Sequence, residues 1–370
     1  MRVLILTASY GSGHNAAAQS LSVAFGAAGA SVTVVDHFRD LVHPAFDRLS
    51  RGLYAAILRR APMVWGLAYG IGDRLSSDSR WAFGAPCLGA ARPGQLLDAT
   101  TPDAVVSVHA TPTVALSTLA REGRRIPPHT TVVTDFVAHS QWIAPGVDRY
   151  CVAAQEVKHE FVARGIAPDR VVVTGVPVRA GFETQLDQLA ARRALGLSPD
   201  LPVVLAMAGA QGSFGRLRDV ADALMELRAP SQALVVTGHD SQLADDIRRR
   251  AAGSAISVFG FVDDVRPLMA AADLLVSKAG GMTLAEAMAA ELPILTYGSL
   301  PGQERRNERF ASRAGVALVA RRPRDLGRAL DRALSEPKLL DRLRGQMRLA
   351  RRPDASRHIA SLVLERAVVN

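Results

Sequence analysis

Three short segments of this chain hold residue types and spacings that could do chemistry. The first is Tyr10-Gly11-Ser12-Gly13-His14. Gly11 and Gly13 let the backbone approach a ligand closely, and a helix opening there offers unpaired N–H groups. His14 adds an imidazole that could take a proton from a hydroxyl. Capping the helix is its structural alternative, and the residues alone leave both uses open. A dinucleotide fingerprint is excluded, because His14-Asn15-Ala16 follows and the third glycine is missing.

The second segment, Ala208-Gly209-Ala210-Gln211-Gly212-Ser213, suits phosphate oxygens or a plain tight turn. The third runs over 256–307. It contains Gly260-Phe261-Val262, then Ser277-Lys278-Ala279-Gly280-Gly281-Met282-Thr283, then Glu286, then Pro301-Gly302-Gln303-Glu304 with Asn307. The Ser-Lys-Ala-Gly-Gly turn reads as an anion site. Thr283 and Glu286 have capping-box spacing; the other use of Glu286 is to bind the two hydroxyls of a ribose. No Asp-x-Asp occurs in the chain, which argues against a metal held between carboxylates.

These segments need elements that hold them at the ends of strands. Short β-branched runs alternate with helical stretches. Val3–Leu6, Val32–Val35, Ala104–Val108, Thr131–Thr134, Arg149–Val152 and Val171–Thr174 read as strands of one half. Leu201–Met207, Leu234–Thr237, Ser257–Phe259, Leu274–Ser277, Ile294–Tyr297 and Ala317–Val319 read as strands of a second. Such runs suit parallel strands covered on both faces, so the fold class is α/β with two doubly wound sheets. The boundary falls near Pro177–Gln185. Domains are expected at 1–180 and 181–345, with a C-terminal helix at 346–370 packing back on the first domain.

Met1–Leu6 is too short for a signal-peptide core and reads as the first strand. No run of 18 or more apolar residues exists, so no spanning helix is expected. From Phe38 to Pro93 there is no clear strand. Tyr54, Trp65, Tyr69, Trp81 and Phe83 mix there with Arg48, Arg51, Arg59, Arg60, Arg74, Arg80 and Arg92. This insertion of about 38–93 suits a membrane interface, or else a helical excursion with aromatics inside and arginines in water.

The 370 residues carry a net charge of +9, which favours anionic partners. Cys87 and Cys151 lie far apart in no metal-like spacing, which fits a reducing cytoplasm. A nucleic-acid-binding protein is a competing class. The arginines of 321–352 are scattered along amphipathic stretches, and no helix-turn-helix, zinc or RNP pattern is present.

The ordered motifs resemble the inverting, two-Rossmann-domain (GT-B) glycosyltransferases that include monogalactosyldiacylglycerol synthase and the processive diacylglycerol glucosyltransferases. A more distant likeness is to the lipid II N-acetylglucosaminyltransferase. The carriers are Gly11-Ser12-Gly13-His14, Thr134-Asp135-Phe136 with His139 and Trp142, Gly175-Val176-Pro177-Val178, Gly260-Phe261-Val262, Lys278–Glu286 and Pro301–Glu304 with Asn307. The Thr134–Trp142 block separates the lipid-sugar branch from the lipid II branch. The first loop resembles the bacterial subgroup rather than the glycine run of plant members.

The resemblance implies two domains facing across a cleft, closing to bring His14 to the donor. It implies a UDP-sugar donor, a diacylglycerol or glycosyl-diacylglycerol acceptor, no metal or other cofactor, and a cytoplasmic protein bound peripherally to the inner face of an anionic membrane. His14 would be the base. Gln211, Gly212, Gly280, Gly281 and Met282 would surround the diphosphate, with Lys278 and Thr283 in the same turn. Phe261 would present its backbone to uracil, Glu286 would bind ribose, and Gln303 and Glu304 would hold sugar hydroxyls. Arg179 would help with phosphate charge. Gly11, Gly13, Asp135, His139 and Trp142 would line the acceptor side. Two rival readings stay close to this one: a UDP-N-acetylglucosamine transferase for a polyprenyl-linked acceptor, and a non-catalytic UDP-sugar sensor.

Overall fold

The computed structural model of this chain describes residues 1–9, 12–74, 91–209 and 215–369. Of the residues named above, Tyr10, Gly11, Arg80, Trp81, Phe83, Cys87, Ala210, Gln211, Gly212 and Ser213 lie outside them. The chain forms two compact units, one of 1–180, 301–303 and 352–370, the other of 181–300 and 304–351.

The first unit opens with β1 (Arg2–Thr7), α1 (Ser12–Ala27) and β2 (Ser31–Asp36). One π-helical stretch, His37–Val42, leads into α2 (Pro44–Arg60), α3 (Pro62–Arg74) and α4 (Ala91–Thr100). Then follow β3 (Ala104–Ser107), α5 (Ala110–Arg121), β4 (His129–Val132), β5 (Arg149–Val152), α6 (Gln155–Ala163) and β6 (Val171–Val173). The strands pair in parallel in the order β2-β1-β3-β4-β5-β6. Side chains alternate across a strand, so β1 feeds two cores. Val3 and Ile5 pack with Phe25 of α1; Leu4 and Leu6 pack with Leu97 and Leu116 on the other face.

The second unit contains α7 (Gln188–Ala194), β7 (Val203–Met207), α8 (Leu217–Met225), β8 (Gln232–Val236), α9 (Ser241–Arg250) and β9 (Ile256–Phe259). It continues with α10 (Arg266–Ala271), β10 (Leu274–Ser277), α11 (Gly281–Ala289), β11 (Ile294–Tyr297), α12 (Gln303–Arg313), β12 (Ala317–Ala320), α13 (Pro323–Ser335) and α14 (Pro337–Ala350). Its parallel order is β12-β11-β10-β7-β8-β9. Each sheet therefore reverses its winding once, between β1 and β3 and between β7 and β10. Open α/β sheets bind ligands beside the carboxyl ends of strands at such switch points.

Two expectations are corrected. The fourth strand is His129–Val132, not Thr131–Thr134. Its register is fixed by Val105 opposite His129, and the His129 N–H is anchored on Asp148 at 2.8 Å. Thr134 and Asp135 are thereby left in the loop at the carboxyl end. The single helix over 346–370 is two: 346–350 finish α14, and α15 (Ala355–Val369) begins after Pro353. A proline inside a helix removes a hydrogen bond and clashes with the preceding turn. α15 joins the first unit, where Ile359 and Val363 enter the α1 core and the Ser356 and Ser20 hydroxyls meet at 2.7 Å.

No described helix is long and apolar enough to cross a membrane. α13 and α14 bury Leu326, Leu330, Leu340 and Leu343 and turn Arg324, Arg328 and Arg342 outward, so this arginine-rich stretch is a solvated helix face.

Candidate active site: a neutral imidazole over one sheet, anion turns over the other

His14 lies in the first turn of α1, directly after β1. Its Nδ1 is 2.9 Å from the carbonyl of Val108 at the end of β3. A carbonyl can only accept, so Nδ1 carries the proton and Nε2 keeps its lone pair. Thr134 Oγ1 lies 3.0 Å from the same Nδ1 and shares this contact. The imidazole is thus pinned across the β1/β3 switch point, with its basic nitrogen defined. Burial lowers the His14 pKa below the ordinary imidazole value, against the opposing pull of the Asp135 charge and the Val108 bond. A neutral base is the result. Gly13 precedes it in the same helical turn.

The surrounding residues come from neighbouring strand ends. The His109 ring meets His14 edge to face at 4.6 Å between centroids. Trp142 is buried, 6.3 Å from His14 and 6.5 Å from His109. Asp135 is 3% exposed and accepts a hydrogen bond from Gln303 Nε2. The sequence expectation thus brings together His14, Asp135, Trp142 and Gln303. The same reasoning missed His109, although it follows Val108 at a strand end just as His14 does. Its Nδ1 accepts from the Thr111 N–H at 3.1 Å and caps α5. Burial first, then the His14 charge, pushes its pKa well down.

His139 differs from the others. Its Nδ1 accepts from the Gln141 N–H at 3.1 Å, so its Nε2 donates to the Tyr69 carbonyl at 3.1 Å. Nε2 therefore ties α3 to the 139–142 loop, while Nδ1 caps the turn within that loop. Ser140 adds two more ties, from its N–H to Asp73 at 2.9 Å and from its hydroxyl to the Gly72 carbonyl at 2.7 Å. A Cβ at Gly66 would collide with Pro301, which explains the glycine there.

In the second unit, α11 starts at Gly281, its N-cap is Gly280, and no side chain caps it. Thr283 lies inside the helix, so the capping-box use of Glu286 is overturned: Glu286 is in the second turn and 2% exposed. No side chain caps the first N–H groups of α11, and such a helix start suits an anion. Met282 is buried, and Thr283 half-buried, in this turn. Other bonds fix the turn: Ala279 N–H to Ser299 Oγ at 3.2 Å, and Asn307 Nδ2 to the Ala279 carbonyl at 3.2 Å. Lys278 Nζ pairs with Glu304 at 2.7 Å, and Glu304 also accepts from the Leu300 N–H at 2.8 Å. Glu304 thus closes the 300–304 loop. Phe261 is exposed at the end of β9. Arg179 is half-buried and belongs to the first unit. Gly11, Gln211 and Gly212 fall outside the described residues. Among those described, no group of three or more His, Cys, Asp or Glu could hold a metal.

Residues 14–178 match the family model for monogalactosyldiacylglycerol (MGDG) synthase, and residues 202–336 match that for glycosyl transferases group 1. A Bacillus thuringiensis protein named processive diacylglycerol beta-glucosyltransferase is 30% identical over 367 residues, covering 98% of this chain and 93% of its own. Its namesake from Bacillus cytotoxicus is 30% identical over 368 residues, with the same coverage of both chains. The solved structure of MurG from Acinetobacter baumannii aligns with a TM-score of 0.69 at 16% identity, over 98% of this chain and 99% of that one. This last likeness carries the fold, which is GT-B. The likeness to the Bacillus proteins spans both units, and by it the chain belongs to the family of diacylglycerol glycosyltransferases.

Proposed function

We propose that the protein transfers a hexose from a UDP-sugar to the hydroxyl of diacylglycerol or a glycosyl-diacylglycerol, with inversion at the anomeric carbon. His14 Nε2 takes the proton of the acceptor hydroxyl while that oxygen bonds to the anomeric carbon. The bond from this carbon to the diphosphate breaks, and its electron pair leaves with UDP. The developing charge falls to the N–H groups of α11, where a helix terminus stabilises an anion. Glu286 is the candidate for the ribose, and Gln303 for a sugar hydroxyl. The observation that carries this reading is the Nδ1–H bond of His14 to Val108, which leaves the lone pair on Nε2.

The acceptor is a lipid, so the first unit should meet a membrane. No residue of α3 is buried. Met63, Val64, Leu67 and Ile71 are 52–74% exposed, and Leu49 and Leu53 of α2 are 75% and 61% exposed. Their three- and four-residue spacing gathers them into stripes. Arg48, Arg60 and Arg74 stand exposed on the same two helices. Basic residues near an anionic surface contribute roughly 1 kcal/mol each, and apolar stripes can enter the interface. α3 is the helix tied to the 139–142 loop, so docking would hold the lipid beside the His14 cluster. Peripheral binding at the cytoplasmic face follows from a soluble nucleotide donor.

The test is incubation with anionic vesicles containing diacylglycerol and, separately, UDP-glucose, UDP-galactose and their N-acetyl forms. UDP release together with a glycolipid from one donor is expected. UDP release without glycolipid would point to another acceptor, and no release would favour a sensor. The reading needs no metal, so EDTA should leave the rate unchanged; loss restored by Mg²⁺ would contradict it. The Leu67→Glu/Ile71→Glu protein should lose vesicle binding, and high salt should weaken the unchanged protein.

A further inference from the structure

We infer that His239 is a nucleobase-binding residue, forming with Phe261 one stacked aromatic platform for the uracil of the donor. This rests on the UDP-sugar reading above. His239 and Phe261 follow β8 and β9, which are neighbours with Val236 opposite Phe259. Their rings lie parallel, 4.1 Å apart at 11°. Both residues are exposed, Phe261 by 45%.

An exposed phenyl ring is costly in water, and an isolated aromatic pair gains as much from an edge-to-face meeting. A flat pair presents an outer face to a third planar ring, and bases stack on such rings whatever their edge pattern. The turns also bring the rings close: Gly238 has φ +67°, and a Cβ at Gly260 would touch the Gly238 carbonyl at 3.8 Å. A side chain at Gly238 would be strained, so the residue that re-aims the chain into His239 is set by backbone conformation.

Position supports the same ligand. The anion turn opens α11 beside the β7/β10 switch point. The platform lies over β8 and β9, two strand spacings away, about 10 Å. A ribose and its base span that distance from a diphosphate. His239 adds to Phe261 a second flat ring in the same stack, and its part in the platform is stacking. It is also the one histidine of the second unit.

The experiment is calorimetric titration of UDP and of inorganic pyrophosphate into the unchanged protein, His239→Ala and His239→Phe, paired with steady-state kinetics. His239→Ala should weaken UDP about tenfold and leave pyrophosphate unchanged. KM for the UDP-sugar should rise by the same factor, with kcat within about twofold. His239→Phe should regain most of the UDP affinity through stacking. Unchanged UDP binding in His239→Ala would overturn the inference while leaving the donor reading intact. Equal losses for UDP and pyrophosphate would also overturn it, as general damage. An unchanged protein that binds pyrophosphate but not UDP would overturn the donor reading and the inference together.

Discussion

On the proposed function, the two units would meet the same task, holding a reacting group at the end of a parallel strand, with opposite materials. The first uses titratable side chains, half-buried His14 and His109 and buried Asp135, from three neighbouring strand ends. The second uses backbone: a glycine-capped helix start, whose turn is held by Ser299 and Asn307. The difference follows from the chemistry each would do. Moving a proton needs a side chain whose tautomer and pKa are set by its surroundings. Holding a diphosphate needs oriented N–H groups and no titration at all.

The largest break in this comparison is expected at His14. His14→Ala should lower kcat by 10²- to 10⁴-fold, the usual range for a positioned base. UDP binding should hardly change, because the donor turns lie in the other unit. Steady-state rates with parallel UDP titration check both halves. A normal rate with bound donor would remove His14 from the mechanism.

Acid stability should separate the units next. His37 is fully buried, and neither ring nitrogen has a partner among the described residues; burial takes its pKa down to about 4. His129 is likewise lowered to about 4, again by burial. An unfolded histidine titrates near 6.5, so between 6.5 and 4 the unfolded chain binds more protons. Stability from these groups is complete above 6.5 and is lost as pH falls toward 4, on the order of 3 kcal/mol each. His37→Leu should therefore flatten the fall in unfolding temperature between pH 7 and pH 4.5. An unaltered slope would show that His37 finds a partner in solution.

The units also differ in how far the sequence disclosed them. The glycine turn after β10 in the second was readable because Lys and Gly-Gly at a strand end carry their own conformational meaning. Glu286 was ambiguous only because the helix start is not marked: the reading began it at Thr283, and Gly280 proved to be the cap. In the first unit, His14 stood out, but its tautomer depends on the Val108 carbonyl, 94 residues away in sequence. His109 was overlooked because a single histidine inside Val-His-Ala-Thr carries no spacing signal. Its meaning comes from the β2-β1-β3 order, which sets two strand ends side by side. Thr134 was placed inside a strand, since a β-branched run does not say where pairing stops.

A smaller effect tests the backbone half. Gly280 has φ −70°, and a Cβ there would meet only Thr283 Oγ1 at 3.8 Å, an ordinary contact. Gly280→Ala should fold normally while placing a methyl group where, on the proposed function, the diphosphate would approach. KM for the UDP-sugar should rise by about tenfold or less, with the pH profile unmoved. A shifted acid limb would mean that the donor turn influences the base, and the division of labour between the units would fail.

The finest test concerns Asp135. Its charge raises the His14 pKa against the larger effect of burial. Asp135→Asn keeps a side chain of the same size but removes that charge. The folded imidazole should then hold its proton less well, so the acid limb of kcat/KM should move to lower pH. A less basic Nε2 should also abstract protons more slowly, lowering kcat on the plateau. Both changes have one cause, so they must appear together. A lower kcat with an unmoved limb would mean that Asp135 acts through Gln303, whose side chain it holds, rather than through the base.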